Sequence, residues 1–186
     1  MNNSYHLHDL NGERTEQLLI LVDKESGEKT GEATREACHK GKGLVHLAFI
    51  AFIIDGKRNI VLAKRSEKKS LWPGFWDTAV VSHVLPGETA GKAAERRAKE
   101  EMGVDMEFET IGSFYYFAKH NEYSENEYCH VLIGKTDKKL TSNPVEISEV
   151  RNVPYAKMQN EINAHKELFT PWFLLAMEKY NLSKYI

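Results

Sequence analysis

The chain is poor in cysteine. Cys38 and Cys129 are its two thiols among 186 residues. Far apart, they build neither a disulfide framework nor a CxxC metal pair, and the expected compartment is a reducing cytoplasm. A surplus of charge is also missing. The formal net charge is −2, so no strong basic field marks nucleic acid or an anionic membrane as a partner. No apolar run is long enough to span a bilayer. The opening MNNSYHLHDLNGERT has no apolar segment of the secretory kind. Internal repeats and low-complexity linkers are absent as well. What is there is a soluble-type composition, 41% hydrophobic and 28% charged. The length suits one folding unit with a core of its own. The expected organisation is a polar tail over residues 1–15 and one domain over 16–186, with His6 and His8 solvated in the tail.

From Gln17 the pattern becomes structured. Leu18 to Val22 has β character, and the turn residues of Asp23–Gly31 make a hairpin plausible. HLAFIAFII, from His46 to Ile54, is apolar on both faces, as a strand covered on both sides must be. Asp55-Gly56 signals a turn into a second strand over Asn59–Arg65. Thr89 to Met102 is the clearest helix, with Thr89 as N-cap and Gly103 where a left-handed C-cap is wanted. Ala94, Ala98 and Met102 give it an apolar stripe, beside a second stripe of Arg97, Glu100 and Glu101. Phe108–Phe117 and Tyr128–Lys135 are predicted strands. One late helix begins near Pro154, and another has Thr170 as N-cap with Pro171 at its first position. Strands flanking a helix, with helices late, predict an α/β arrangement of layers around a mixed sheet.

The helix carries a spaced pattern, G-x5-E-x7-R-E-U-x-E-E-x-G-U with U aliphatic. Glu88, Arg96, Ala98, Glu100, Glu101, Gly103 and Val104 fill it in register. Ser82 stands for its first glycine and Arg97 for the glutamate after its arginine. An ordinary surface helix also accumulates Glu, Lys and Arg. The physical logic of the pattern is different. A loop and a helix aim carboxylates from successive turns at one point, where oxygen ligands hold Mg²⁺ and the ion clamps a diphosphate.

With its flanks, this segment resembles the Nudix superfamily, and within it the type 1 isopentenyl-diphosphate isomerases. The likeness rests on LWPGFWDTAVVSHVLPGETAGKAAERRAKEEMGV together with ACHKGKGLVHLAF, KRSEKKSLWPG, SENEYC and LFTPWF. It covers nearly everything after the tail. It implies a Nudix fold of α+β sandwich type, a mixed sheet flanked by helices, over residues 16–186. It also implies one metal held by His39, His46, His83, Glu125 and Glu127, and a second divalent ion on Glu101. Imidazoles and carboxylates together suit Mg²⁺, Mn²⁺ or Zn²⁺. Residues two apart on a strand, such as Glu125 and Glu127, share a face. The diphosphate contacts implied are Arg35, Arg65, Lys69 and Arg97. At Arg97 a guanidinium suits phosphate where a carboxylate would suit metal. For Arg65 and Lys69 a solvated charge run is the alternative. Trp172 is implied to face the hydrocarbon end, where an indole stabilises a nearby cation, with a core position as the alternative. Trp72 and Trp76 are expected as pocket wall or core.

One residue breaks the resemblance. Isomerisation is a 1,3-proton shift and needs an acid on one face of the alkene and a base on the other. The resemblance places one role on Tyr116 and Glu127. The other belongs to a cysteine two residues before the histidine matching His83, and that position is Val81. Cys38 lies in a different segment, and Ser82 points to the other face of a strand. The first expectation is therefore a Nudix hydrolase acting on an isoprenoid-type diphosphate, with Glu100 beside Glu101 as the hydrolase-like carboxylate pair. The second is an isopentenyl-diphosphate isomerase with a different second acid. The third is a protein that binds a diphosphate without reaction.

Overall fold

A strand that is apolar on both faces must lie between two cores. In the computed structural model, which describes residues 14–186, HLAFIAFII becomes β3 (His46–Asp55). Its alternate residues divide as a pleat requires. Ala48, Ile50, Phe52 and Ile54 enter one core with Phe114, Met158, Trp172 and Phe173. Phe49, Ala51 and Ile53 enter the other with Ala94, Ala98 and Met102. The apolar stripe of the central helix therefore packs where its spacing predicts.

The remaining strands are arranged around β3. Strand β1 (Leu18–Val22) forms a hairpin with β2 (Lys29–Thr34) and touches β3 through Leu21 and His46. Strand β4 (Ile60–Arg65) lies between β5 (Trp76–Thr78) and β9 (Ile147–Val153). Strand β6 (Val80–His83) pairs antiparallel with β3. Strand β8 (Tyr123–Thr136) runs parallel to β3 and antiparallel to β7 (Glu109–His120). Among the described residues nine strands thus form one mixed sheet. Helix α2 (Ala90–Met102) covers one face, while α3 (Tyr155–Ala164) and α4 (Pro171–Lys179) cover the other. The short helix α1 (Arg35–His39) links β2 to β3. The expected α+β sandwich with a mixed sheet is the observed fold.

Local signals were sound for α2. Thr89 accepts from the Lys92 N–H at 3.3 Å, and Gly103 caps the other end at φ 64°. The last helix starts on Pro171 as expected, but the Thr170 side chain makes no capping bond. It is fully buried. Strands β7 and β8 run beyond their expected limits and join at a turn where Asn121 takes φ 56°. Polar residues hide this extension from a hydrophobicity pattern, yet Glu125 and Glu127 lie in it. The expectation for His6 and His8 falls outside the described residues. No helix among the described residues is long and apolar enough to cross a membrane.

Candidate active site

Four chain segments converge at one end of β3. Thr34 caps α1 by accepting from the Ala37 N–H at 3.3 Å, and the last turn of that helix delivers His39. The chain then doubles back through Gly43, whose φ is 61°. A Cβ there would stand 2.1 Å from the Cys38 carbonyl oxygen. Glycine therefore permits the return that places His46 beside His39. The sheet register does the rest: His46 lies opposite Glu127 on β8, and Ala48 lies opposite His83 on β6. Glu125 projects from the same face of β8. The five side chains are buried, and one ligand atom from each lies within 4.8 Å of all the others. The three imidazole rings stand 4.7 to 5.1 Å apart, centre to centre.

Donors and acceptors show what this pocket is built to hold. His39 Nδ1 meets the Arg35 carbonyl at 2.7 Å, and His46 Nδ1 meets the Leu44 carbonyl at 2.8 Å. A carbonyl only accepts, so each Nδ1 carries the proton and each Nε2 presents a lone pair. Those lone pairs face carboxylates, His39 with Glu125 at 3.1 Å and His46 with Glu127 at 3.3 Å. Burial disfavours the protonated form of His46 and shifts its pKa down. Acceptor against acceptor is unfavourable unless a proton or a metal cation lies between them. His39 Nε2, His46 Nε2 and Glu125 Oε2 are buried without a hydrogen-bond partner. This donor set fits a divalent ion. His83 is arranged differently. Arg35 Nη1 approaches its Nδ1 at 3.2 Å, which leaves the proton on Nε2, 3.3 Å from Glu127. An ion on His83 requires that proton to move to Nδ1 and Arg35 to turn away.

Glu127 also accepts from the Tyr116 hydroxyl at 2.5 Å. Burial first, and then the charge of Glu127, pushes the Tyr116 phenol well above its ordinary range, so it remains a donor. Burial and the neighbouring Glu125 push Glu127 upward as well. Tyr116, Glu125, Glu127, Val81 and Trp172 line one cavity. Trp172 is at once core and cavity wall. It is 2% exposed in the core, yet it lines that cavity and meets Trp72 edge to face at 5.0 Å. Trp76 is core, with the Arg151 guanidinium 3.8 Å over its ring.

Sequence reasoning missed Asp77. It is buried under the cavity wall, where its Oδ2 accepts from the Trp172 indole N–H at 2.7 Å. Burial pushes its carboxyl up to about 7 against the opposing pull of Arg65 and the Thr78 N–H. A carboxyl whose folded-state pKa exceeds its unfolded value stabilises the fold below the unfolded pKa, near 4. That contribution is lost as pH rises through about 7. Stability is therefore expected to fall between about pH 4 and 7, by up to about 4 kcal/mol from this group. Asp77→Asn should flatten that slope in urea denaturation series across this range. Equal slopes in the two proteins would refute the assignment.

The cavity mouth is cationic, lined by Arg35, Arg65, Lys69, Arg96 and Arg97. Each has further work. Arg65 donates through Nε and Nη2 to the Leu71 carbonyl, at 3.1 and 2.6 Å, and so anchors the loop over the site. Arg96 grips Glu88 at 2.6 and 3.0 Å, and Glu88 accepts from the Leu85 N–H at 3.1 Å. These two residues of the spaced pattern lock the loop to the helix. Arg97 pairs with Glu100, Glu101 and Glu146. Lys69 pairs with Glu146 at 2.8 Å. Glu101 is buried, whereas the Glu100 side chain is 42% exposed. Glu100 nonetheless reaches the site through Arg97, at 2.7 Å. Glu146 is a second omission. It follows a turn-rich stretch with no periodicity, and its role depends wholly on where that loop lands.

The mixed sheet between helices, with a capped helix and its loop beside a buried ligand cluster, defines the Nudix class of fold. The chain belongs to the NUDIX domain family, whose profile matches residues 44–173. It is 37% identical over 159 residues to isopentenyl-diphosphate Delta-isomerase 2 of Photorhabdus laumondii, covering 85% of this chain and 89% of that one. It is 34% identical over 175 residues to the isopentenyl-diphosphate Delta-isomerase of Haloarcula marismortui, covering 90% and 92%. Among solved structures, a Deinococcus radiodurans protein superposes with a TM-score of 0.69 at 22% identity, covering 89% of this chain and all of that one. A MutT protein of Methanosarcina mazei superposes with a TM-score of 0.54 at 23% identity over 62% of this chain and 81% of its own. These last two likenesses concern the fold.

Proposed function

We propose that the protein is a divalent-metal-dependent enzyme that cleaves an organic diphosphate, with a short isoprenoid-type group as its organic part. His39, His46, His83, Glu125 and Glu127 would hold one ion, and Glu101 a second. Mg²⁺ and Mn²⁺ suit both sites, and Zn²⁺ suits the histidine-rich one. A bound cation of this kind supplies Lewis acidity and lowers the pKa of coordinated water. The protein's own groups do the rest. Lys69, Arg97 and Arg35 bind phosphate oxygens, while Trp172 and Val81 present an apolar wall to the hydrocarbon. Glu127 takes a proton from water, and Tyr116 orients its carboxylate.

The observation that carries cleavage over isomerisation is Val81, an apolar side chain in the wall of the same cavity. A 1,3-proton shift needs two proton-handling groups, and Tyr116 with Glu127 supplies one side only. Arg97, paired with both Glu100 and Glu101, weighs against a fully hydrolase-like helix. Isomerisation is the second reading, favoured by the Tyr116–Glu127 pair and by the names of the relatives. One incubation separates them: isopentenyl diphosphate and Mg²⁺ in heavy water. Hydrolysis of the P–O–P bond releases inorganic phosphate together with the prenyl monophosphate. Deuterium in dimethylallyl diphosphate, without phosphate release, would overturn cleavage in favour of isomerisation.

A further inference from the structure

Glu146 occupies the cations that the proposed function assigns to phosphate. Its Oε2 accepts from Lys69 Nζ at 2.8 Å, and its Oε1 accepts from Arg97 Nη2 at 3.2 Å. The contact is built rather than incidental. The loop before β9 is fastened at both ends of this residue: Asn143 N–H donates to the Glu101 carbonyl at 2.8 Å, and Ser66 N–H donates to the Glu146 carbonyl at 2.9 Å. Lys69 follows the end of β4, Arg97 is on α2 and Glu146 enters β9. One carboxylate therefore joins three parts of the fold.

The electrostatics are then unlike those of an open phosphate clamp. Two cations face Glu146 and Glu101, with Glu100 also on Arg97. A bare diphosphate approaching Lys69 and Arg97 must displace an anion already in place, and the displaced carboxylate would remain in a half-buried site beside Glu101. That exchange is close to neutral in interactions gained and unfavourable in anions left unpaired. A divalent cation arriving with the diphosphate reverses the balance, because it supplies the positive charge the carboxylates lose.

We infer that Glu146 is a specificity-determining residue that makes diphosphate binding conditional on a divalent cation, by holding Lys69 and Arg97 until positive charge arrives to replace them. This rests on the proposed diphosphate reading. Its consequence is selectivity for the metal–diphosphate complex over the free anion. Anions lacking an associated divalent ion, whether free diphosphate or monophosphate, are disfavoured by the protein's own carboxylate.

The test is titration calorimetry with inorganic diphosphate on the wild-type protein and Glu146→Gln, each with Mg²⁺ and with the metal chelated. Glutamine keeps the length and one acceptor but removes the charge. The wild-type protein should bind with Mg²⁺ and at least about tenfold more weakly without it. Glu146→Gln should gain about ten- to a hundredfold in metal-free affinity, the scale of a lost charge-assisted pair. Adding Lys69→Ala to Glu146→Gln should abolish the gain. A gain cannot arise from poor folding. Unchanged or weaker metal-free binding by Glu146→Gln, with the wild-type protein binding normally in Mg²⁺, would overturn the inference alone. No binding by the wild-type protein in Mg²⁺ would overturn the diphosphate reading, and the inference with it.

Discussion

His83→Ala and Glu127→Gln should each leave a protein that folds but retains no tightly held divalent ion after dialysis, with activity reduced by at least about a thousandfold. The two residues meet at 3.3 Å on strands separated by β3, so each change removes one donor from a set positioned by sheet register rather than by mobile loops. Altering an outer hydrogen-bond partner of a metal site commonly costs about ten- to a hundredfold in affinity, and removing a ligand costs more. Glu127 should show the larger loss in turnover, because it also accepts from Tyr116 at 2.5 Å and so serves both ion and proton. Metal analysis by mass spectrometry is the direct measurement. It is independent of substrate choice, so it tests the site even if the organic group has been misread. Unchanged metal content in both variants would place the ion elsewhere and remove the basis of the proposed function.

Much of this centre was legible because its residues lie in short, distinctive contexts. His39 follows a cysteine before a glycine-punctuated loop, His46 opens an apolar run, and Glu125 and Glu127 alternate. Each fragment resembles a known family locally, and resemblance could assemble them without coordinates. Helix α2 was legible for a different reason: its caps and its 3.6-residue stripe are both local signals. Strands β5 and β6 were not. Three and four residues are too few to show a period, and Ala79 breaks the ladder between them. Their burial comes from neighbours far along the chain.

Asp77 and Glu146 illustrate the remaining gap. Nothing local distinguishes Asp77 from a solvated turn aspartate, yet Trp172, 95 residues away, makes it a buried acceptor. Glu146 reads as one acid in a polar stretch until Lys69 and Arg97 close on it. Arg97 was singled out for phosphate, with Glu100 and Glu101 visible on its own stripe, but the third carboxylate that competes for it, Glu146, was not. Glu100 and Glu101 are neighbours in the pattern, but successive helical residues stand about 100° apart, so Glu101 is buried while Glu100 lies 42% exposed against Arg97.

Val81→Cys should create or strongly enhance isomerase activity. Val81 lines the cavity with Tyr116, Glu127 and Trp172, and it packs, half-buried, against the apolar core that includes Tyr116 and Trp172. A thiol is close to isosteric with part of the valine side chain, so the exchange requires little repacking. With an ordinary pKa near 8.5, a cysteine is mostly protonated at neutral pH and is able to donate. One correctly placed acid is worth about a hundred- to ten-thousandfold in a proton-transfer step. Deuterium incorporation into dimethylallyl diphosphate in heavy water should rise by about that factor over the parent, while phosphate release stays level or falls. Val81→Ser tests the chemistry against the space: its hydroxyl is similarly small but a far weaker acid, so it should recover much less. If Val81→Cys stays inactive while its metal content and diphosphate affinity match the parent, Val81 does not mark the missing acid. The choice between cleavage and isomerisation would then pass to the Tyr116–Glu127 pair alone.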